Sequence, residues 1–261
     1  METITTRRNP LVARFRDAAR GDAEDVLLLD GAHLVGDALD AGLPVRHVIA
    51  SADALDRPEI RAILGRLGPG VEVAAATSMV MDAVSPVRSA SSIVALADHP
   101  PVTAARMYTA ADFLVVIAVD VQDPGNLGAI IRVAEAGGAT GVVAAGSSAN
   151  PFGWKALRGS MGSALRLPLA VQHDTAEAIA DARRRGSRIV ATVPLGGVPH
   201  VEADLRGPIA LLVGGEGAGL ASDLVAGADT RVTIPMQKTV ESLNAAVAAA
   251  IVVYEARRQR Q

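Results

Sequence analysis

The sequence predicts a two-domain α/β protein, and three observations lead there. At 261 residues the chain is longer than one typical domain. Short apolar runs alternate with amphipathic stretches along nearly all of it, the pattern of strands alternating with helices. One segment, ADHPPVTAARMYTAAD, breaks the alternation with paired prolines and no periodicity. A linker is therefore expected near residues 98–112, dividing residues 1–105 from residues 106–261. Half the residues are hydrophobic and 20% are charged, which suits a folded protein with a sizeable core.

In the first part, VLLLDGAHLVGDALDAGL reads as a buried strand, a turn and an amphipathic helix. VRHVIAS is a strand, RPEIRAILGRLG a helix, and VEVAAA and SIVALAD are strands. The second part is more regular. FLVVIAVD is a strand, NLGAIIRVAEAGG a helix closed by glycine, GVVAA a strand, GWKALRGSMG a short helix and LPLAV a strand. TAEAIADARRRG is a helix, SRIVATV and GPIALLVGG are strands, LASDLVAGA a short helix and TRVTIP a strand. The final helix is apolar enough for burial from Ala245 to Ala256, and its first turn is expected to carry Glu241, Ser242 and Asn244. Such repetition implies a largely parallel sheet covered on both faces, with ligands at the carboxyl ends of its strands.

Composition excludes several classes. Without cysteine there is no disulfide framework or thiolate metal site, and five scattered histidines offer no ligand pair, so no metal is expected. The N-terminus has no apolar signal core, and no run reaches the roughly 18 residues of a membrane span. A cytoplasmic protein that does not engage membranes is expected. The net charge of −3 gives no global nucleic-acid signature. Charge is uneven, however. Arg7, Arg8, Arg14, Arg16 and Arg20 face only Asp17 within their stretch, and we read this run, Arg7 and Arg8 first, as a phosphate-contacting surface. The arginines at the C-terminus either complement a helix dipole or contact a partner.

Three loops could carry chemistry. In VDVQDPGNLGAIIRVAEAGG, Asn126 either caps a helix or serves a site. Arg132 sits among apolar neighbours, where a charge is costly unless paired or bound to an anion. In GGEGAGL, alternating glycines let backbone approach a ligand, and Glu216 projects from them. A dinucleotide loop would need a full βαβ unit and a later acidic residue at a strand end, which the chain lacks. In TIPMQKTVESLN, capping alone would explain one of Ser242 and Asn244. Two such side chains plus Glu241 fit a binding edge.

These three segments resemble the signature motifs of the SpoU/TrmH branch of the SPOUT superfamily, the AdoMet-dependent RNA ribose 2′-O-methyltransferases. The likeness is Asn-Leu-Gly-x-x-x-Arg, then Gly-Gly-Glu-Gly-x-Gly-Leu, then Ile-Pro-Met with Ser-Leu-Asn, and it covers residues 113–258. It extends to NPFGWKALRGSMGSALRLPL. More loosely, LLLDGAHLVGDAL and SPVRSASSIVALA resemble the family's small α/β substrate-binding domain, with Asp30 where Glu is usual. Lys238 departs from the pattern, which has glycine there.

The resemblance implies a C-terminal α/β domain tied in a deep trefoil knot, and a homodimer acting on RNA, large-subunit ribosomal RNA above all. It implies AdoMet bent against three loops. Thr192, Leu195 and Gly196 would lie on the first, Gly214, Gly215, Glu216 and Gly217 on the second, and Ile234 and Met236 on the third. Leu243 would close the adenine pocket. Arg132 would bind the phosphate beside the target ribose and stabilise developing negative charge. Asn126 would position the ribose or Arg132. Glu216 would pair with Arg132 or hold its loop, and Ser242 and Asn244 would fix Arg132 and the methionine end of the cofactor. Arg158 would contact a second phosphate. The alternatives are a transfer-RNA methyltransferase, an RNA-binding protein of the same fold without methyl transfer, and a dinucleotide-dependent oxidoreductase. Six aromatics are too few to build a stacking platform for single strands, so recognition is expected through shape, phosphate and 2′-hydroxyl contacts.

Overall fold

A computed structural model describes residues 2–101 and 104–261. Val102 and Thr103, inside the expected linker, lie outside the described residues. The chain divides into two compact units: residues 1–101 with 152–166, and residues 102–151 with 167–261.

It begins in the first unit with β1 (Glu2–Ile4), α1 (Pro10–Arg20), β2 (Leu27–Asp30), α2 (Ala32–Asp40), β3 (Val45–Ser51), α3 (Pro58–Leu64), β4 (Glu72–Ala76), α4 (Ser78–Val84) and β5 (Ile93–Ala97). The second unit opens with β6 (Leu114–Val119), α5 (Pro124–Gly137) and β7 (Gly141–Ala145). Two short helices, α6 (Trp154–Ser160) and α7 (Ser163–Arg166), belong to the first unit. The remainder is β8 (Leu169–Gln172), α8 (Thr175–Arg184), β9 (Arg188–Thr192), β10 (Val198–Pro199), β11 (Ile209–Gly214), α9 (Ser222–Ala226), β12 (Thr230–Thr233) and α10 (Ala245–Arg260).

The first unit carries a five-stranded sheet, β1-β4-β3-β5-β2, in which β5 runs antiparallel to both neighbours. Phe15, Leu28, Ile49, Val80 and Leu96 belong to its core, and Trp154 from α6 packs against it. The indole explains why a segment so late in the chain joins this unit: it covers apolar surface there. A division at one linear boundary near residue 105 does not include that return.

The second unit is a seven-stranded parallel sheet, β10-β12-β9-β11-β6-β7-β8, flanked by helices. Interior β6, between β11 and β7, is buried at every residue, as a parallel strand covered on both faces must be. Helices α5 and α10 pack in parallel: Asn126 meets Asn244 at one end, and a Cβ on Gly137 would fall 2.2 Å from Val253 Cγ1 at the other.

Sequence reading missed β1, α1, α4, α7 and β10. Helix α1 buries only Val12 and Phe15 among three arginines, so its apolar stripe is too thin to stand out. Its ends were nonetheless marked, by Asn9 accepting from Leu11 N at 2.8 Å and by left-handed Gly21. Helix α10 departs from full burial, since Val247 is 47% and Tyr254 50% exposed. Of the C-terminal arginines only Arg260 turns inward among the described residues, while Arg257 and Arg258 stay exposed. Arg258 pairs with Glu255, and Arg260 donates to the carbonyls of Leu205, Gly207 and Asp112. No helix among the described residues is long and apolar enough to cross a membrane.

Candidate active site

Where β6 ends, Asp120 takes a left-handed backbone at φ 55° and accepts from Ser147 N and Oγ, both at 2.8 Å. Strain of this kind persists only where surroundings impose it. Asp123 then caps α5, its Oδ1 accepting from Asn126 N at 2.8 Å, and Pro124 opens the helix. Asn126 is therefore not the cap. Because Asp123 takes that role, the Asn126 amide is free to work elsewhere.

It joins all three motif segments. Asn126 Nδ2 donates to Glu216 Oε1, and its Oδ1 accepts from Asn244 Nδ2 at 2.9 Å. Asn244 in turn caps α10, its Oδ1 accepting from Ala246 N at 2.9 Å and Val247 N at 3.3 Å. Of the two roles expected for Glu216, the pairing with Arg132 is not made among the described residues, and the Asn126 amide holds its carboxylate. Ser242 and Asn244 precede α10 instead of lying in its first turn, and Ser242 is exposed in the loop.

A cavity of about 590 Å³ lies beside this bridge, within the usual size of small-molecule sites. Its wall includes Thr192, Gly214, Gly215, Glu216, Gly217, Ile234, Met236, Ser242, Leu243 and Asn244. Val193 and Pro194, from the first expected loop, and the 218–220 turn, from the glycine motif, complete it with Val213, Val225, Val232, Ala245 and Ala248, which sequence reasoning did not name. The last five are apolar neighbours of the motifs, and their only signal was adjacency. Leu195 and Gly196 were expected on the wall and are not there; Leu195 points outward, 81% exposed. Gly215 must be glycine, since a Cβ there would stand 2.0 Å from Asp120 O. Gly217, at φ 82°, turns the loop back. The loop is pinned by Gly215 N donating to Val119 O at 2.8 Å. Apolar sides, backbone-rich loops and one rim carboxylate suit a flat heteroaromatic group with a polar, cationic tail, which is the shape and charge of AdoMet.

Arg132 corrects the sequence reading. It is exposed, not buried, and makes no hydrogen bond or ion pair among the described residues. Helix α5 buries Ile130, Ile131 and Ala134, and the position between them turns to solvent. Arg158 lies in the first unit, its Nη1 donating to Asp30 Oδ2 at 2.6 Å. The N-terminal arginine run is not one surface. Arg14 pairs with Asp25, and Arg20 with Asp17 and Asp22. Arg7 Nε donates to Met79 O at 3.0 Å, and Arg8 is exposed. Lys238 is exposed and off the cavity wall. Among the described residues no group of three or more metal-ligating side chains gathers.

Comparison with known proteins agrees with this geometry. The SpoU rRNA Methylase family model matches residues 113–254. A Bacillus subtilis protein, 23S rRNA (guanosine(2553)-2′-O)-methyltransferase RlmP, is 32% identical over 89% of each chain. The crystal structure of the SpoU methyltransferase AviRb from Streptomyces viridochromogenes with AdoMet superposes with a TM-score of 0.85 at 29% identity, covering 97% of this chain and 98% of that one. A second crystal structure, of an RNA 2′-O ribose methyltransferase, gives 0.86 at 30% identity over 98% of both chains.

Proposed function

This chain belongs to the SpoU rRNA methylase family, and from that premise we propose that it methylates a ribose 2′-hydroxyl of 23S ribosomal RNA with AdoMet as methyl donor. The observation that carries the reading is the bridge of Asn126 between Glu216 and Asn244. It draws three distant segments onto the rim of a single cavity of cofactor size.

AdoMet supplies a methyl group already activated for displacement, so the chain's task is alignment. Thr192, the glycine loop, Ile234, Met236 and Leu243 hold the cofactor in the cavity. Asn126 keeps Glu216 and the start of α10 in register. Arg132 offers its guanidinium to the phosphate beside the target ribose. A guanidinium carries only donors and no acceptor, so Arg132 orients the hydroxyl and stabilises growing negative charge instead of acting as the base. Alignment of this kind lowers a barrier by roughly 7–11 kcal/mol. Isothermal titration should detect AdoMet binding, and labelled AdoMet should mark 23S RNA on the ribose. A chain that takes no AdoMet would end the reading.

We further propose a cytoplasmic homodimer with a knotted second unit. Val247, Ile251 and Tyr254 form one stripe on α10, and the two exposed ends of it need covering. Arg132 is exposed near the middle of α5, the helix that packs along α10, and a second copy covering the stripe would stand near the guanidinium. Val247→Glu with Tyr254→Glu should halve the mass measured by light scattering.

A further inference from the structure

The register of the first unit's sheet brings several segments to one end. Ile4 of β1 and Ser51 of β3 both pair with Ala76, the last residue of β4. Ala50 pairs with Ile93, the first residue of β5, and Asp30, the last of β2, pairs with Val94. Chain leaving β1, β2, β3 and β4 therefore emerges beside the loop that enters β5. Arg7 and Arg8 follow β1, Arg57 follows β3, and Arg88 stands in that loop. Arg57 Nη1 donates to Ser92 Oγ at 3.1 Å and Arg7 to Met79 O, which ties neighbouring segments together. Helix α6 adds Lys155 and Arg158 at the same end, through the contact of Arg158 with Asp30.

These cations differ from those at the opposite end. There Arg14, Arg46 and Arg66 are each ion-paired, with Asp25, Asp98 and Asp40. At the carboxyl end Arg8 and Arg88 have no ion pair among the described residues, Lys155 lies over Trp154, and Arg7 and Arg57 bond neutral oxygens. Carboxylates also stand there: Asp53, Glu59 and Asp82 are exposed, and Asp56 is taken by Arg61 at 2.7 Å. Asp30 is the exception among the acids. Its side chain is wholly buried, accepting from Ser85 Oγ at 2.7 Å and from Arg158, whose own side chain is 44% exposed. Burying a carboxylate is poorly repaid by one ion pair, and an apolar pair would stabilise as well. What Asp30 provides is orientation: it fixes a half-exposed guanidinium and leaves donors facing solvent.

We propose that this carboxyl end is the face on which the first unit holds RNA backbone phosphate, through Arg7, Arg8, Arg57, Arg88, Lys155 and Arg158, with Asp30 as the positioning residue for Arg158. The proposal rests on the reading of the chain as an RNA methyltransferase and extends it to where substrate is gripped. Phosphate contacts set register without reading sequence. A local cluster supplies the attraction that a chain of net charge −3 lacks overall.

The test is binding of 23S ribosomal RNA by the full-length protein across a salt series, with AdoMet affinity and melting temperature measured on each variant. Arg57→Gln with Arg88→Gln should bind several-fold more weakly and lower the slope of log affinity against log salt by about two. Arg66→Gln, from the paired end, should match the parent. Asp30→Asn should weaken RNA binding at unchanged AdoMet affinity, and Asp30→Glu should restore it. Equal affinity and slope in the double variant would overturn the proposal while leaving methyl transfer standing. A parent protein that binds neither RNA nor AdoMet would overturn both readings.

Discussion

Arg132 stands on α5 in solvent with no partner among the described residues, on the same helix whose first turn carries Asn126. An exposed guanidinium contributes little to folding, so its removal separates chemistry from stability. Arg132→Ala should lower the rate of methyl transfer at saturating RNA by on the order of a hundredfold to a thousandfold, as loss of one charge-stabilising donor does. AdoMet affinity and melting temperature should not move. Glu255 is the opposite case, serving fold and not chemistry. Hydrogen bonds from Arg258 and then Gln259 hold its carboxyl at about 2, against burial that pushes it up. A depressed carboxylate stabilises the fold above its ordinary value of 4.5 and loses that contribution as pH falls towards about 2. Glu255→Gln should flatten the fall of melting temperature across that window.

Among the elements, α10 has two duties at one residue. Asn244 Oδ1 caps its first turn while Nδ2 holds Asn126. Asparagine to aspartate keeps the acceptor and removes the donor. Asn244→Asp should therefore melt near the parent but transfer methyl more slowly. Asn244→Ala should lose about 1 kcal/mol of stability as well, the usual worth of a cap. If both variants melted alike, the cap would not be the stabilising part. The same logic explains why Asn126 was ambiguous in sequence. The sequence left Asn126 either capping a helix or serving a site, and the observed Asp123 bond takes the cap and frees the Asn126 amide.

For the whole molecule, the division into two units separates ligand effects. AdoMet bound at a hundred times its Kd should stabilise the second unit by about 2.7 kcal/mol through mass action. Calorimetry should then show the transition of that unit rise while the other stays. A single transition shifting as one would mean the units unfold together. The return of residues 152–166 to the first unit also means that cutting the chain near residue 105 would strip Trp154 from its core and leave Asp30 buried without Arg158.

Most of the second unit was legible in the chain because parallel strands buried on both faces must be continuous apolar runs. Its motif residues were legible because glycine, proline and asparagine at strand ends have few other uses. Local pattern carries that information without reference to anything distant. Pairing between distant residues is different. That Glu216 meets Asn126, that Arg132 faces solvent, and that Arg158 locks onto Asp30 across 128 positions all depend on which helix face turns inward. Packing of whole elements decides that, and no short stretch of residues encodes it alone.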